Sequence, residues 1–444
     1  MKNITLNNQK IVKLFELFNY FIFFGILYNY EVFIYLFAAS YLYYYFLNRR
    51  KTRLELDSRF LKVAKLLPII FYVSKFIFSL SQNLNLFWKN SSQAAYTSTA
   101  RFIDAQQFFM GVRCNTVPNL SFEYIYKFTQ INQQCPKPIG WGPLPELFRT
   151  SGDIWMISLI FSIIAGISFL LFYNILFNSF NEKFLIVFLT LSPPVNFLFE
   201  RMNADLFLFL ITYYVLKNYQ KRKIFNSFVL LLLFFIKLYP LGAIGGLILV
   251  GLKNRDFKTV IINCLTSIIA IYYVIFQHDF EETNFVNTPD LFRSFGLSTN
   301  FENLSYANSI FDFNILLVLL LIYSFLMIFS TFKLFDREIL VSIKSEFVTI
   351  PFITLFVFIA LYESYDYRLF IFIFLPTFFN KIENSNLLYF VITLLIFSPV
   401  SITGDYSFNI FEYIILFLKL FSFHQLFLLF SLYILIYIKS IQSR

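Results

Sequence analysis

Apolar runs of helical length, separated by short polar breaks, fill most of the chain. A helix rises about 1.5 Å per residue, so roughly 20 apolar residues cross a hydrocarbon core about 30 Å thick. Open strand edges cannot satisfy their backbone groups in lipid, which leaves helices as the spanning element. The pattern predicts helices at 11–29, 31–48, 61–81, 155–177, 183–199, 204–216, 259–276, 311–332, 347–362, 368–380 and 387–401, with a last one ending near 439. The run from 224 to 252 is too long for one crossing and too short for two, and reads as a short helical hairpin. The expected fold is all-α: one polytopic membrane domain over 1–444, with roughly 11 to 13 transmembrane helices.

Residues 82–153 break the alternation. They form a long polar segment early in the chain, whereas later connections are shorter. Long loops of this kind usually carry function. Cys114 and Cys135 both fall within it, and an oxidising compartment would let them pair. Cys264 reads as an inert buried thiol.

Composition fits this picture and narrows it. The chain is 58% hydrophobic and 14% charged, with a mean hydropathy of +0.67, which excludes an ordinary soluble domain. A net charge of +10 would suit a nucleic-acid binder if the cations formed one surface. Instead they cluster between apolar runs, at Arg49 to Lys65, Lys217 to Lys223, Lys253 to Lys258 and Lys333 to Lys344. That is the positive-inside pattern, so nucleic acid is not expected as a partner and membrane lipids are. The basic clusters are assigned to the cytoplasmic side and 82–153 to the other. The N-terminus has no small-residue cleavage site after its first apolar stretch, and reads as an uncleaved first span.

Ionisable groups inside or beside spans cost roughly 2.5 to 3.5 kcal/mol on insertion scales, so each is a functional candidate. Arg201, Arg293 and Arg368 lie in outer connections, each near an acid: Glu200, Asp290 and Asp366. Lys237 stands in the middle of LLLLFFIKLYPLGAIGG, about 20 Å of helix beyond Lys223. Two readings fit it. Either Pro240 and Gly242 bend the chain into a hairpin whose apex gives Lys237 a polar cavity, or the lysine snorkels to the outer interface. His278 and His424 are far apart and show no metal-ligand spacing, so neither metal nor cofactor is expected.

Three stretches carry a resemblance: SPPVNFLFERMNADLFLFL (192–210), FFIKLYPLGAI (234–244) and SYDYRLFIFIFLP (364–376). Together they resemble glycosyltransferase family 87 of the GT-C superfamily. The resemblance implies a sugar transferase, for hexoses or pentoses, in a bacterial inner membrane with its site facing the periplasm. The implied donor is a polyprenyl-phosphate-linked sugar and the acceptor a glycolipid or glycan. It points to Asp104 in the early outer loop as the general base, with Asp153, Glu123 and Glu146 as competing carboxylates. Lys237, Arg368, Arg201 and Arg293 would bind the donor phosphate, supported by Asn203, Asp205, Tyr239, Asp366 and Tyr367. Relatives place the large loop after their first span, whereas here two extra apolar segments come first, so the first 50 residues read as an addition.

Two other functions compete. An O-antigen-type polymerase or ligase also combines outer arginines with a large outer loop, but that loop falls late in the chain, and here it precedes residue 154. A lipid or solute transporter would best be signalled by an inverted repeat, and the sequence shows no internal repetition.

Overall fold

The computed structural model describes residues 2–28, 30–49, 56–81, 154–180, 183–201, 204–276, 345–361 and 410–442, together with 294–295, 322, 325, 364–365, 371 and 373–374. These residues are overwhelmingly helical, as expected of an all-α chain. The large loop 82–153 and the spans predicted at 311–332, 368–380 and 387–401 fall wholly or largely outside them.

The helices are α1 (Lys2–Tyr28), α2 (Tyr30–Arg49), α3 (Ser58–Ser81), α4 (Ile154–Ser179), α5 (Lys183–Thr190), α6 (Pro193–Arg201) and α7 (Ala204–Lys217). After a 3-10 turn at Tyr219–Lys221 come α8 (Lys223–Ile236), α9 (Pro240–Lys253), α10 (Phe257–Phe276), α11 (Glu346–Leu361) and α12 (Ile410–Gln442). Among the described residues, three stretches, Gln9–Tyr28, Leu159–Ser179 and Phe421–Gln442, are long and apolar enough to cross a membrane. On α4 the side chains of Ile160, Ile164, Ile167, Leu171 and Ile175 are exposed. An outward apolar stripe of that length suits a hydrocarbon environment.

The segment predicted as one helix at 183–199 is two. Pro193 and Pro194 lack the N–H groups that the carbonyls of Leu189 and Thr190 would otherwise accept. Both freed carbonyls find new donors: Ser192 Oγ reaches Leu189 O at 2.6 Å, and Tyr72 Oη on α3 reaches Thr190 O at 2.6 Å. The break that the prolines impose is thereby stitched to α3.

The abundant aromatic residues interlock. Phe184 and Phe188 on α5 meet Phe37 and Tyr41 on α2, the closest pair being Tyr41 and Phe188, stacked with centroids 4.1 Å apart. The first two helices thus share the main core. They also share a buried polar contact, in which Ser40 Oγ donates to Asn19 Oδ1 at 3.0 Å.

On the other side of the fold α9 lies against α11. A Cβ on Gly242 would stand 2.8 Å from Leu355 Cα, and one on Gly246 would stand 2.5 Å from Pro351 Cα. Glycines four residues apart bring two helix backbones into contact, which maximises dispersion where lipid supplies no hydrophobic drive.

Candidate functional site

The α8–α9 hairpin positions the site. A continuous helix through 236–240 would set the Pro240 ring against the Ile236 carbonyl. The chain breaks instead: Lys237 is extended at φ −146°, ψ 141°, and α9 restarts with Pro240 in its first turn. The residue before a proline is usually pushed out of the helical region. Here Tyr239 stays helical at φ −66°, ψ −23°, and the extended residue lies two positions earlier. Tyr239 is held at both ends of its side chain. Its hydroxyl donates to Asp205 Oδ1 at 2.9 Å and its ring stacks on Phe209, centroids 5.2 Å apart. Asp205 and Phe209 are four residues apart, so they share one face of α7.

Lys237 completes this group. Its Nζ lies 3.0 Å from the same Asp205 Oδ1, with the lysine side chain 3% exposed and the aspartate 0%. The lysine therefore does not snorkel. Asp205 sits in the first turn of α7, where the helix dipole favours an anion, and Lys237 caps the end of α8, where it favours a cation. Two helix ends of opposite polarity thus help to compensate two charges that are costly to bury.

Of the other predicted site residues, Arg201 ends α6. Asp104, Asn203, Arg293, Asp366, Tyr367 and Arg368 lie outside the described residues, as do Cys114 and Cys135. Backbone pairing does link two neighbouring segments. Ser294 and Phe295, which follow Arg293 in sequence, pair antiparallel with Tyr365 and Ser364, which precede Asp366. Cys264 is a free, half-buried thiol on α10. No cluster of three metal-ligating side chains occurs among the described residues.

Sequence reasoning missed the far end of the hairpin. Lys223 at the start of α8 is ion-paired with Asp256, whose carboxylate also accepts from Thr259 N at 3.2 Å and Thr259 Oγ1 at 2.7 Å. Lys253 at the end of α9 is ion-paired with Glu346 on α11. Glu346 Oε2 also accepts from Tyr437 Oη on α12 at 3.0 Å. Partial burial would raise both carboxyls, but the bonds from Lys223 and Thr259 hold Asp256 below its usual range. Lys253, Tyr437 and Asn254 do the same for Glu346. The signal lies in the single acids Asp256 and Glu346, which stand beside the basic clusters Lys253 to Lys258 and Lys333 to Lys344.

A second lysine was also missed. Lys75 lies in the apolar run of α3, and its Nζ donates to Asn196 Oδ1 on α6 at 2.8 Å. The rule that singled out Lys237 applies to it equally. Comparison with protein-family models, with curated proteins and with solved structures finds no match to this chain in any of the three.

Proposed function

We propose that the chain is a polytopic membrane glycosyltransferase that takes a sugar from polyprenyl phosphate and delivers it to a glycolipid or glycan hydroxyl on the outer face. The observation that supports this reading is the Asp205–Lys237 contact. It joins two of the three stretches that carry the family resemblance, 192–210 and 234–244, at one buried point. In the proposed reaction the Asp104 carboxylate takes the acceptor proton as the hydroxyl oxygen attacks the anomeric carbon. The bond from that carbon to the phosphate oxygen breaks, and polyprenyl phosphate leaves with the electron pair. Its growing charge needs fixed cations. Because Asp205 already compensates Lys237, the lysine acts through position, holding the 237–240 apex, and Arg201, Arg293 and Arg368 are the proposed phosphate partners.

The test is transfer of labelled sugar from a polyprenyl-phosphate donor by membranes containing the wild-type chain or Asp104→Asn. The reading expects loss of transfer at unchanged protein level. Full transfer by the variant would remove Asp104 as the base, and absence of transfer by the wild type with all donors tried would remove the enzyme.

One observation favours a second reading as a transporter: a buried ion pair between two interrupted helix ends is a common way to build a coupling site. In proteoliposomes, solute uptake that depends on Lys237 and Asp205 without sugar transfer would select it over the transferase.

A further inference from the structure

We infer that Tyr219, Ser227 and Asn263 form a conformational lock that keeps the base of the α8–α9 hairpin closed, so that the hairpin rearranges only at its 237–239 joint. The three side chains come from the turn after α7, from α8 and from α10, and each is almost wholly buried, at 0%, 1% and 0% exposure. Tyr219 Oη lies 3.0 Å from Ser227 Oγ, Ser227 Oγ lies 3.1 Å from Asn263 Oδ1, and Asn263 Nδ2 lies 2.6 Å from Tyr219 Oη, which closes a ring.

The direction of every bond in the ring is fixed. Asn263 Nδ2 also lies 2.8 Å from the Thr259 carbonyl, which only accepts, so the amide cannot be turned round. Its carbonyl end therefore takes the one proton of Ser227, and Tyr219 donates to Ser227 while accepting from Asn263. Each hydroxyl both gives and receives, an arrangement in which neighbouring bonds polarise and strengthen one another. No member can turn away without leaving a buried polar group unmet.

The lock is tied in on both sides. Thr259 links it to the Lys223–Asp256 pair, because that residue gives its hydroxyl to Asp256 and its carbonyl to Asn263. On α11 the Phe347 ring stacks on Tyr219 with centroids 5.9 Å apart, next in sequence to Glu346, which holds Lys253 at the end of α9. Both ends of the hairpin's base are thus fastened. The apex is built differently: the helical ladder is interrupted between Ile236 and Pro240, and Lys237 and Tyr239 converge on a single oxygen, Asp205 Oδ1. Hinges are commonly element-terminal residues of this kind. One-ended movement suits a site reached from one face, whereas alternating access has to open both ends in turn. The inference does not rest on sugar transfer.

The experiment is double electron–electron resonance on the full chain in lipid vesicles, with nitroxides at Lys221→Cys and Lys258→Cys and the three native cysteines replaced by serine. Both labelled positions are exposed and lie outside the ring. One narrow distance distribution across the base is expected. It should stay unchanged in Lys237→Met with Asp205→Leu, which frees the apex from its ion pair. Tyr219→Phe and Ser227→Ala should each broaden it roughly twofold, and the two together little further, since one missing hydroxyl already opens the ring. Ser227→Ala deletes least and decides the matter if Tyr219→Phe does not fold. A broad or two-peaked distribution in the otherwise wild-type chain, base movement on freeing the apex, or an unchanged distribution in folded Ser227→Ala would each overturn the lock. So would broadening by the two hydroxyl deletions that simply adds, which would make them separate contacts and not one ring.

Discussion

Lys237 Nζ and Asp205 Oδ1 lie 3.0 Å apart with both side chains almost fully buried, and the contact ties the break between α8 and α9 to the first turn of α7. Removing one partner of a buried pair strands the other charge, which typically costs about 3 to 5 kcal/mol, whereas replacing both by apolar groups is often neutral. Asp205→Asn should therefore lower the unfolding midpoint strongly, and Lys237→Met with Asp205→Leu should recover most of the loss. Thermal unfolding in one detergent checks this. A near-neutral single variant would show that the charges are not paired in the folded chain.

The α9–α11 contact carries its own control. Gly246→Ala would drive a methyl to 2.5 Å from Pro351 Cα, whereas a Cβ on Gly245 meets nothing within 4 Å. Overpacking costs about 1 to 3 kcal/mol, and an unobstructed Gly→Ala in a helix gains about 0.5 to 1. The two neighbouring substitutions should thus move stability in opposite directions. If both destabilise alike, close helix approach is not what Gly246 provides.

Tyr72→Phe removes the donor to the Thr190 carbonyl that Pro194 has freed. Stranding a buried carbonyl costs about 1 to 3 kcal/mol. Restoring the N–H with Pro194→Ala should rescue part of that loss, and a double-mutant cycle over the two sites measures the coupling. Strictly additive effects would separate the tyrosine from the proline break.

Acid should loosen the far end of the hairpin first. Asp256 and Glu346 are held below their ordinary values of 3.8 and 4.5 in the folded chain. A depressed carboxyl stabilises fully above its unfolded value, and that contribution disappears as pH falls through the folded one. Stability should therefore fall below about pH 5, and Glu346→Gln should flatten the curve between about pH 5 and pH 3 while lowering stability at neutrality. Unfolding midpoints measured against pH test the sign. A Glu346→Gln profile parallel to the wild type would remove Glu346 from the acid transition.

Much of the local architecture is legible in the sequence. Apolar runs of helical length give helices, because a backbone without water must satisfy its hydrogen bonds within each segment. Pro193, Pro194 and Pro240 mark breaks wherever a missing N–H and a ring clash forbid continuation. The expense of burying charge singles out Lys237, and the family resemblance points to Asp205 separately. What the sequence could not supply is partnership. That Asp205 faces Lys237, that Tyr239 bonds to the same oxygen, and that the single acids Asp256 and Glu346 clasp the basic ends of the hairpin all depend on which helix packs beside which. Those neighbours are set by non-local shape, such as the glycine-paved approach of α9 to α11, and no period or motif in one strand of sequence encodes it. Lys75 shows the limit from the other side. The cost rule already applied to it, but only the packing of α6 against α3 brought an unpaired amide to its ammonium.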